Sequence, residues 1–220
     1  MIRTGTLELA QANRRHLHLA NGTGYWRSDL IVAGDDADGG WRPQAFLVEQ
    51  DAGSVILPHF HEENEFQVVV DGDGEFGRHP VRPVMVHYAG RHTGYGPIKS
   101  GSRGLWYFSL RAIADPGARF LPQARGEMEK GPKRQLLGET IEPQPDGIAA
   151  WMLRVPPGKP VQPPVHPGGA ARFYVVIEGE LQWQGERLPR FAAAFVSGEE
   201  IHGALAGDAG VRLLALQFPC

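Results

Sequence analysis

The amino-acid sequence predicts an all-β protein made of two β-barrels in tandem. Short apolar runs rich in β-branched and aromatic residues recur along it, such as FQVVV at 66–70 and FYVVIEG at 173–179. Turn-forming sequences separate the runs, including DDADGG at 35–40, DGDG at 71–74 and PPGKP at 156–160. Many short strands of this kind are typical of a sandwich or a barrel. A frame of glycines and histidines that occurs twice divides them into two units.

The length and charge of the chain limit the classes of protein to which it can belong. With 220 residues, of which 42% are hydrophobic, the chain can bury one large core or two small ones without disulfides. Its net charge is -3 and its basic residues are scattered, so neither nucleic acid nor an anionic membrane is an expected partner. No apolar run is long enough for a signal peptide or a spanning helix, and the single cysteine is Cys220. We therefore expect a cytoplasmic protein without a disulfide framework.

The composition along the chain predicts the domain boundaries. We expect residues 1–115 to form the first barrel and residues 148–220 to form the second. The segment 116–147 is polar and interrupted by proline and glycine, so we interpret it as a linker with a short helix near Ala124–Lys130. Edge strands of barrels are commonly covered by a partner or by an N-terminal arm, and the first 40 residues, which lie outside the repeat, could serve in either arrangement. We therefore expect a homodimer.

The repeated frame is defined by the spacing of a few residues. In the first unit it consists of two glycines, two histidines and one acid, namely Gly53, His59, His61, Glu65 and Gly72. The corresponding positions of the second unit follow 105 to 107 residues later and are Gly158, Pro164, His166, Arg172 and Gly179. Chance is a poor explanation for three identities at nearly the same offset. The chain is therefore interpreted as a duplicated β-unit.

Three side chains of the first unit form a metal-binding pattern. His59 and His61 point to the same face of a strand, about 6 to 7 Å apart along the chain. Glu65 would lie roughly 13 Å further along a straight strand, too far for the same ion. The polar sequence EENE at 62–65 allows a turn, after which FQVVV returns as the paired strand and brings Glu65 beside the imidazoles. Because imidazoles and a carboxylate suit Fe, Mn, Ni, Cu or Zn, we predict one divalent transition metal per chain.

This spacing resembles the first signature motif of the cupin superfamily, and the duplicated layout resembles a two-domain member, a bicupin. The resemblance implies a double-stranded β-helix, or jelly roll, in each half and one further histidine ligand from a second motif. The corresponding stretch, VMVHYAGRHTGYGP at 84–97, lacks the proline of that motif and has one residue instead of two between Gly90 and the histidine. We predict His92 as the fourth ligand, with His87 as the alternative, because strand alternation does not decide between them.

The second unit lacks such a ligand set. Pro164 stands in place of the first histidine and Arg172 in place of the acid, and a permanent cation repels a metal ion. We therefore predict no metal in the second barrel. His166, Arg172 and His202 are expected to line a vestigial or anion-binding cavity. The alternative is a purely structural barrel that supports a dimer.

The predicted metal would have two open positions, enough for a bidentate substrate or for a substrate and dioxygen. The resemblance implies an oxidoreductase of the dioxygenase type that acts on a small oxygenated organic molecule, with Fe(II) as the first expectation for the metal. Cupin isomerases and decarboxylases share this site, and a non-catalytic sensor or ligand-binding module is the main alternative.

Four residues are predicted to face the substrate, namely Gln67, Tyr95, Trp106 and Arg111. Gln67 follows Glu65 by two positions and therefore shares its face of the strand. Aromatic residues at such positions are more often part of a core, and arginine is more often on the surface.

Overall fold

The computed structural model describes residues 1–19, 21–34, 39–198 and 201–220. Within these ranges the chain forms seventeen β-strands, one short α-helix and one 3-10 helix, so the all-β prediction is confirmed. Most of the predicted DDADGG turn lies outside the described residues. Among the described residues, no helix combines the length and hydrophobicity needed to cross a membrane.

The strands alternate with short turns along the whole chain. Those of the first part are β1 (Ile2–Gly5), β2 (Arg15–His18), β3 (Gly24–Ile31), β4 (Gln44–Gln50), β5 (Val55–Ile56), β6 (His59–Phe60), β7 (Glu65–Phe76), β8 (His79–Val81), β9 (Val86–Ala89), β10 (Ile98–Arg111), β11 (Arg119–Phe120) and β12 (Gln135–Gly138). Those of the second part are β13 (Ala149–Val155), β14 (Gly169–Trp183), β15 (Glu186–Pro189), β16 (Ala193–Ser197) and β17 (Leu205–Pro219). Helix α1 spans Leu7–Gln11, and the 3-10 helix spans Gln123–Glu127.

The strands form two large sheets and one small one. The nine-stranded sheet has the order β12-β9-β7-β10-β4-β3-β2, with β5 beside β10 and β8 beside β7. The six-stranded sheet has the order β1-β16-β14-β17-β13, with β15 beside β14, and β11 pairs with β6. The order β9-β7-β10-β4 in the first half corresponds to β16-β14-β17-β13 in the second. The two halves of the chain therefore repeat one strand arrangement.

The glycines of the repeated frame stand where the backbone requires them. Gly72 and Gly179 both have positive φ angles, +77° and +73°. A Cβ atom at Gly72 would lie 2.1 Å from the carbonyl oxygen of Gly104, and one at Gly179 would lie 2.1 Å from that of Gly210. Only glycine combines this conformation with such a close approach of the neighbouring strand. The same packing constraint therefore accounts for the second frame glycine in both halves.

The described residues form a hydrophobic core with three parts. The central cluster draws on both large sheets, with Phe66 and Phe108 from one and Phe173 and Phe218 from the other. The rings of Phe66 and Phe218 meet edge to face, with centroids 4.9 Å apart. Two further clusters each draw on one half of the chain and lie on the opposite faces of the sheets. The sheets therefore pack against each other across a shared apolar layer.

Two segments outside the repeated strand order extend the sheets at their edges. Strand β1, assigned by the sequence to the first barrel, pairs with β16 of the second half, with Ile2 opposite Val196. Strand β12, inside the predicted linker, pairs with β9, with Gln135 opposite Ala89. The short helix predicted in this linker is the 3-10 helix. Both added strands supply hydrogen-bond partners to backbone groups that would otherwise lie at a sheet edge.

Candidate functional site

A cavity of about 280 Å³ opens in the first half, on the face of the nine-stranded sheet that points away from the central cluster. Its polar lining includes His59, His61, Gln67, Tyr95, Arg111 and Asp115. Its apolar wall includes Phe46, Val48, Ile56 and Phe120. A second cavity of about 560 Å³ shares Leu19, Ala118 and Phe120 with it, so the two adjoin. The site combines a polar cluster with an apolar wall.

Strand alternation brings these side chains to the cavity. In β7, Gln67 lines the cavity, whereas Phe66 belongs to the central cluster. In β10, Ser109 and Arg111 line the cavity, whereas Leu110 between them is in the central cluster. Each strand thus supplies apolar residues to the core from one face and polar residues to the site from the other.

The His59 ring is held in one tautomer. Its Nδ1 lies 2.7 Å from the carbonyl oxygen of Leu57, which can only accept, so Nδ1 carries the proton and Nε2 has a lone pair. Burial, together with the neighbouring His61, lowers the pKa of His59 from 6.5 to about 4. The ring is therefore neutral at neutral pH, and its Nε2 is available as an acceptor or a ligand.

The His61 ring is held in the same tautomer by a carboxylate. Its Nδ1 lies 2.7 Å from Oδ1 of Asp115. The same carboxylate accepts hydrogen bonds from the backbone N–H of Gly117 at Oδ1 and from that of Glu62 at Oδ2. Burial by itself would raise the pKa of Asp115, but the hydrogen bond from His61 and the other contacts lower it to about 2. Asp115 is not among the residues predicted for the site, because the sequence ADPG at 114–117 is typical of a turn. Its contact with His61 spans 54 positions.

Glu65 is the buried anion of the site, with only 1% of its surface exposed. It accepts hydrogen bonds from the Tyr95 hydroxyl and the Ser109 hydroxyl, each at 2.7 Å, and from Nη2 of Arg111. Burial alone would raise the pKa of Glu65, but the positive charge of Arg111 and these hydrogen bonds lower it to about 2. Glu65 is therefore ionised at neutral pH.

Tyr95 lies beside three of these groups. Strand pairing sets it opposite His59, and its hydroxyl oxygen lies 3.0 Å from Nε2 of His59 and 3.2 Å from Nε2 of Gln67. Burial and the charge of Glu65 raise the pKa of Tyr95 well above 10, so the hydroxyl keeps its proton. That single proton goes to the charged carboxylate, which is the stronger acceptor. The Nε2 lone pair of His59 is then left without a donor from Tyr95.

Arg111 lies between two of the predicted metal ligands and is 4% exposed. Its Nη2 donates to Glu65 and lies 3.1 Å from Nε2 of His61, and its Nη1 donates to Oε1 of Gln44 at 2.9 Å. A guanidinium group has no lone pair to offer, so His61 accepts through Nε2. Arg111, predicted as a substrate contact, is therefore the internal counter-cation of Glu65.

The chemistry of His59, His61 and Glu65 fits a divalent metal. Both imidazoles have their Nδ1 protons held by an acceptor, as metal-ligating histidines do, and the carboxylate is ionised. Two ligands in adjacent positions, each about 2.1 Å from a metal, lie about 3.0 to 3.4 Å apart. Nε2 of His61 and Oε2 of Glu65 are 4.0 Å apart with Arg111 against both, and no group of three or more His, Cys, Asp or Glu among the described residues is arranged as a metal site. The donors fit, and the spacing requires Arg111 to withdraw.

Neither histidine predicted as the fourth ligand joins this set. His92 has a left-handed backbone conformation, with φ of 51°, and its ring packs against Phe60, with Nε2 3.4 Å from a carboxylate oxygen of Glu129. Phe60 points away from the site because it alternates with the two histidines that flank it. His87 is buried, and its Nδ1 lies 2.8 Å from Oε1 of Gln67, so it supports that side chain.

Three of the four predicted substrate-facing residues line the cavity: Gln67, Tyr95 and Arg111. The fourth, Trp106, packs against the central cluster. Its neighbour Tyr107 lines the cavity instead, because consecutive residues of a strand point to opposite faces.

The three residues predicted to line a cavity in the second half do not share one cavity. The Arg172 side chain and the backbone N–H of His166 both donate to Oε1 of Gln217, each at 3.2 Å. His202 is exposed and lines a cavity of about 360 Å³ with Tyr174, to which neither His166 nor Arg172 contributes.

Several solved structures resemble this chain. A protein of Nostoc punctiforme provisionally assigned as a dioxygenase matches with a TM-score of 0.70 and 9% identity, over 100% of this chain and 83% of that one. The pirin of Escherichia coli in complex with nickel(II) matches with a TM-score of 0.57 and 13% identity, over 100% and 99%. A Bacillus subtilis oxalate decarboxylase with Mn(II) centres matches with a TM-score of 0.61 and 10% identity, over 97% and 76%. No family model and no curated protein matches the sequence.

These proteins share the cupin fold, and the predicted cupin-type jelly roll is therefore confirmed. At identities of 9 to 13% the similarity shows the fold alone. Activity and ligands have to be argued from the residues of this chain.

Proposed function

We propose that this chain is a metal-dependent cupin-fold protein that acts on a small oxygenated organic molecule in the cavity of its first half. The observation that carries the proposal is the convergence of two imidazoles that line this cavity and one buried, ionised carboxylate beside them. The fold hosts nickel(II) in the pirin and Mn(II) in the decarboxylase, which supports a divalent metal in general.

His59, His61 and Glu65 are the residues that would hold the metal, about one ion per chain. The proposal includes no histidine as fourth ligand, because His92 and His87 form other contacts. Iron is the first expectation, with manganese, nickel, zinc and copper as alternatives, since all accept nitrogen and oxygen donors. A transition metal at this position would supply Lewis acidity, or redox chemistry if it is iron.

The remaining residues of the cavity set the class of molecule that fits. Gln67 and Tyr95 present an amide and a hydroxyl near the ligand set, and Phe46 and Phe120 form an apolar wall. A volume of about 280 Å³ suits a small organic molecule with oxygen atoms at one end. We propose oxidation of the dioxygenase type as the reaction. The alternative, binding without turnover, uses the same contacts.

The test begins with the metal content of tag-free protein purified without chelators. We expect about one transition metal per chain in the wild type and a loss of most of it in His59→Ala and in Glu65→Gln. His16→Ala is the matched control, because His16 and His18 have the same spacing but are exposed on β2. Undiminished metal in both site variants, or two ions per chain, would contradict the proposed site.

The reaction is tested by oxygen uptake of the Fe(II)-loaded protein with small diketones, catechols and hydroxy acids. Oxygen uptake that is coupled to product formation in the wild type and is absent in Glu65→Gln supports the dioxygenase-type reaction. Saturable binding of one of these compounds without turnover, for any of the metals, supports the ligand-binding alternative.

We further propose that the two halves are two cupin barrels in tandem, which the repeated strand order and the paired glycine positions support. A homodimer and a cytoplasmic location remain predictions, and light scattering at working concentration tests the first.

A further inference from the structure

We propose that Arg111 determines the metal occupancy of this site, because its guanidinium occupies the place between His61 and Glu65 and has to withdraw from both before a divalent metal can bind. This inference rests on the proposed function. It assigns a role to a residue that the spacing of the ligand pattern does not include.

The contacts of Arg111 are the first support. Its Nη2 contacts both Nε2 of His61 and Oε2 of Glu65, two atoms that would be ligands of the same metal ion. A guanidinium cannot act as a ligand, and two cations at such a distance repel each other strongly in a buried site. Occupation of this place by Arg111 and by a metal is therefore mutually exclusive.

The unsatisfied groups around Arg111 are the second support. The Nε of Arg111 is buried and has no hydrogen-bond partner among the described residues. The Nε2 lone pair of His59 has no donor of its own, because the Tyr95 proton goes to Glu65. With Arg111 in this place its own buried Nε thus lacks an acceptor, a cost that a different position of the side chain can relieve.

The cavity offers Arg111 an alternative position. Its side chain lines the cavity, and Nη1, which is not the nitrogen that contacts Glu65, already donates to Gln44. Its guanidinium carbon lies 5.4 Å from the centre of the Phe46 ring, but Arg27 already stacks on that ring at 3.6 Å, so Gln44 is the available partner. A rotation of the Arg111 side chain toward Gln44 would therefore free His61 and Glu65 while the guanidinium keeps an oxygen acceptor.

The experiment measures Mn²⁺ binding by isothermal titration calorimetry to chelator-treated, dialysed, full-length protein. We expect Arg111→Gln to bind Mn²⁺ at least tenfold more tightly than the wild type, because the competing cation is removed. Arg111→Lys keeps the charge on a shorter side chain, so it should fold even if the glutamine variant does not, and its affinity should lie between the two. Arg103→Gln is the control for the loss of an arginine as such, since Arg103 lies on the same strand but is exposed and pairs with Asp73.

The possible results separate the inference from the proposed function. Tighter binding in Arg111→Gln that disappears in the double variant Arg111→Gln/Glu65→Gln supports the inference. Equal or weaker binding in both Arg111 variants, with binding lost in Glu65→Gln, overturns the inference and leaves the metal site standing. An absence of Mn²⁺, Ni²⁺ and Fe²⁺ binding in the wild type and in every Arg111 variant overturns both.

Discussion

Replacing the buried His87 should change how the stability of the protein depends on pH. Burial lowers the pKa of His87 from 6.5 to about 4 in the folded state. Between these pH values the unfolded chain binds more protons at His87 than the folded protein does. The free energy of unfolding therefore decreases as the pH falls from 6.5 toward 4, and it keeps its full value above pH 6.5. Integrated from pH 7 to pH 5, the loss from this one group is about 2 kcal/mol. The asparagine of His87→Asn cannot titrate and keeps a donor near Gln67. Between pH 7 and pH 5 the free energy of unfolding of this variant should therefore decrease by about 2 kcal/mol less than that of the wild type.

The assay is urea unfolding of chelator-treated wild type and His87→Asn at pH 7 and pH 5, followed by circular dichroism. His59, whose pKa is also lowered to about 4, titrates in both proteins and cancels in the comparison. The smaller side chain lowers the stability of the variant by a similar amount at both pH values, so only the pH-dependent difference is diagnostic. His202→Asn, at an exposed position of the other half, controls for the loss of an imidazole as such. Equal pH dependence in the wild type and His87→Asn would refute the reasoning.

Three further predictions concern the fold and the site. Gly72→Ala should destabilise the protein by about 1 to 3 kcal/mol more than Gly53→Ala, because both have positive φ but only Gly72 meets a neighbouring carbonyl; urea midpoints measure the difference. Phe66→Ala should cost about 3 to 5 kcal/mol, since its ring is fully buried between the sheets, and the same unfolding assay checks it. Asp115→Asn should weaken metal binding about 10- to 100-fold by calorimetry, because the carboxylate orients His61, and an unchanged affinity would show that the proposed metal does not depend on this contact.

Much of the fold could be predicted from local sequence patterns. Short β-branched runs separated by turn residues indicate strands, because the alternation of side chains and the conformations of glycine and proline act within a few residues. The frame glycines were recognisable for the same reason, as Gly72 and Gly179 both need positive φ. The packing of β1 against the second half was not predictable, because a strand of four residues carries no signal for its distant partner.

The sequence by itself determined three members of the site. The two-residue spacing of His59 and His61 places both on one face of a strand, and Glu65 returns to them after a turn. Only the tertiary structure decided the rest. Asp115 and Arg111 reach His61 across 54 and 50 positions, and the turn at His92 directs that ring away from the site. Which side chain completes a buried polar cluster depends on strand register and on the balance of buried charges. Both are set by contacts between segments far apart in the chain, so the spacing of residues within one segment does not predict them.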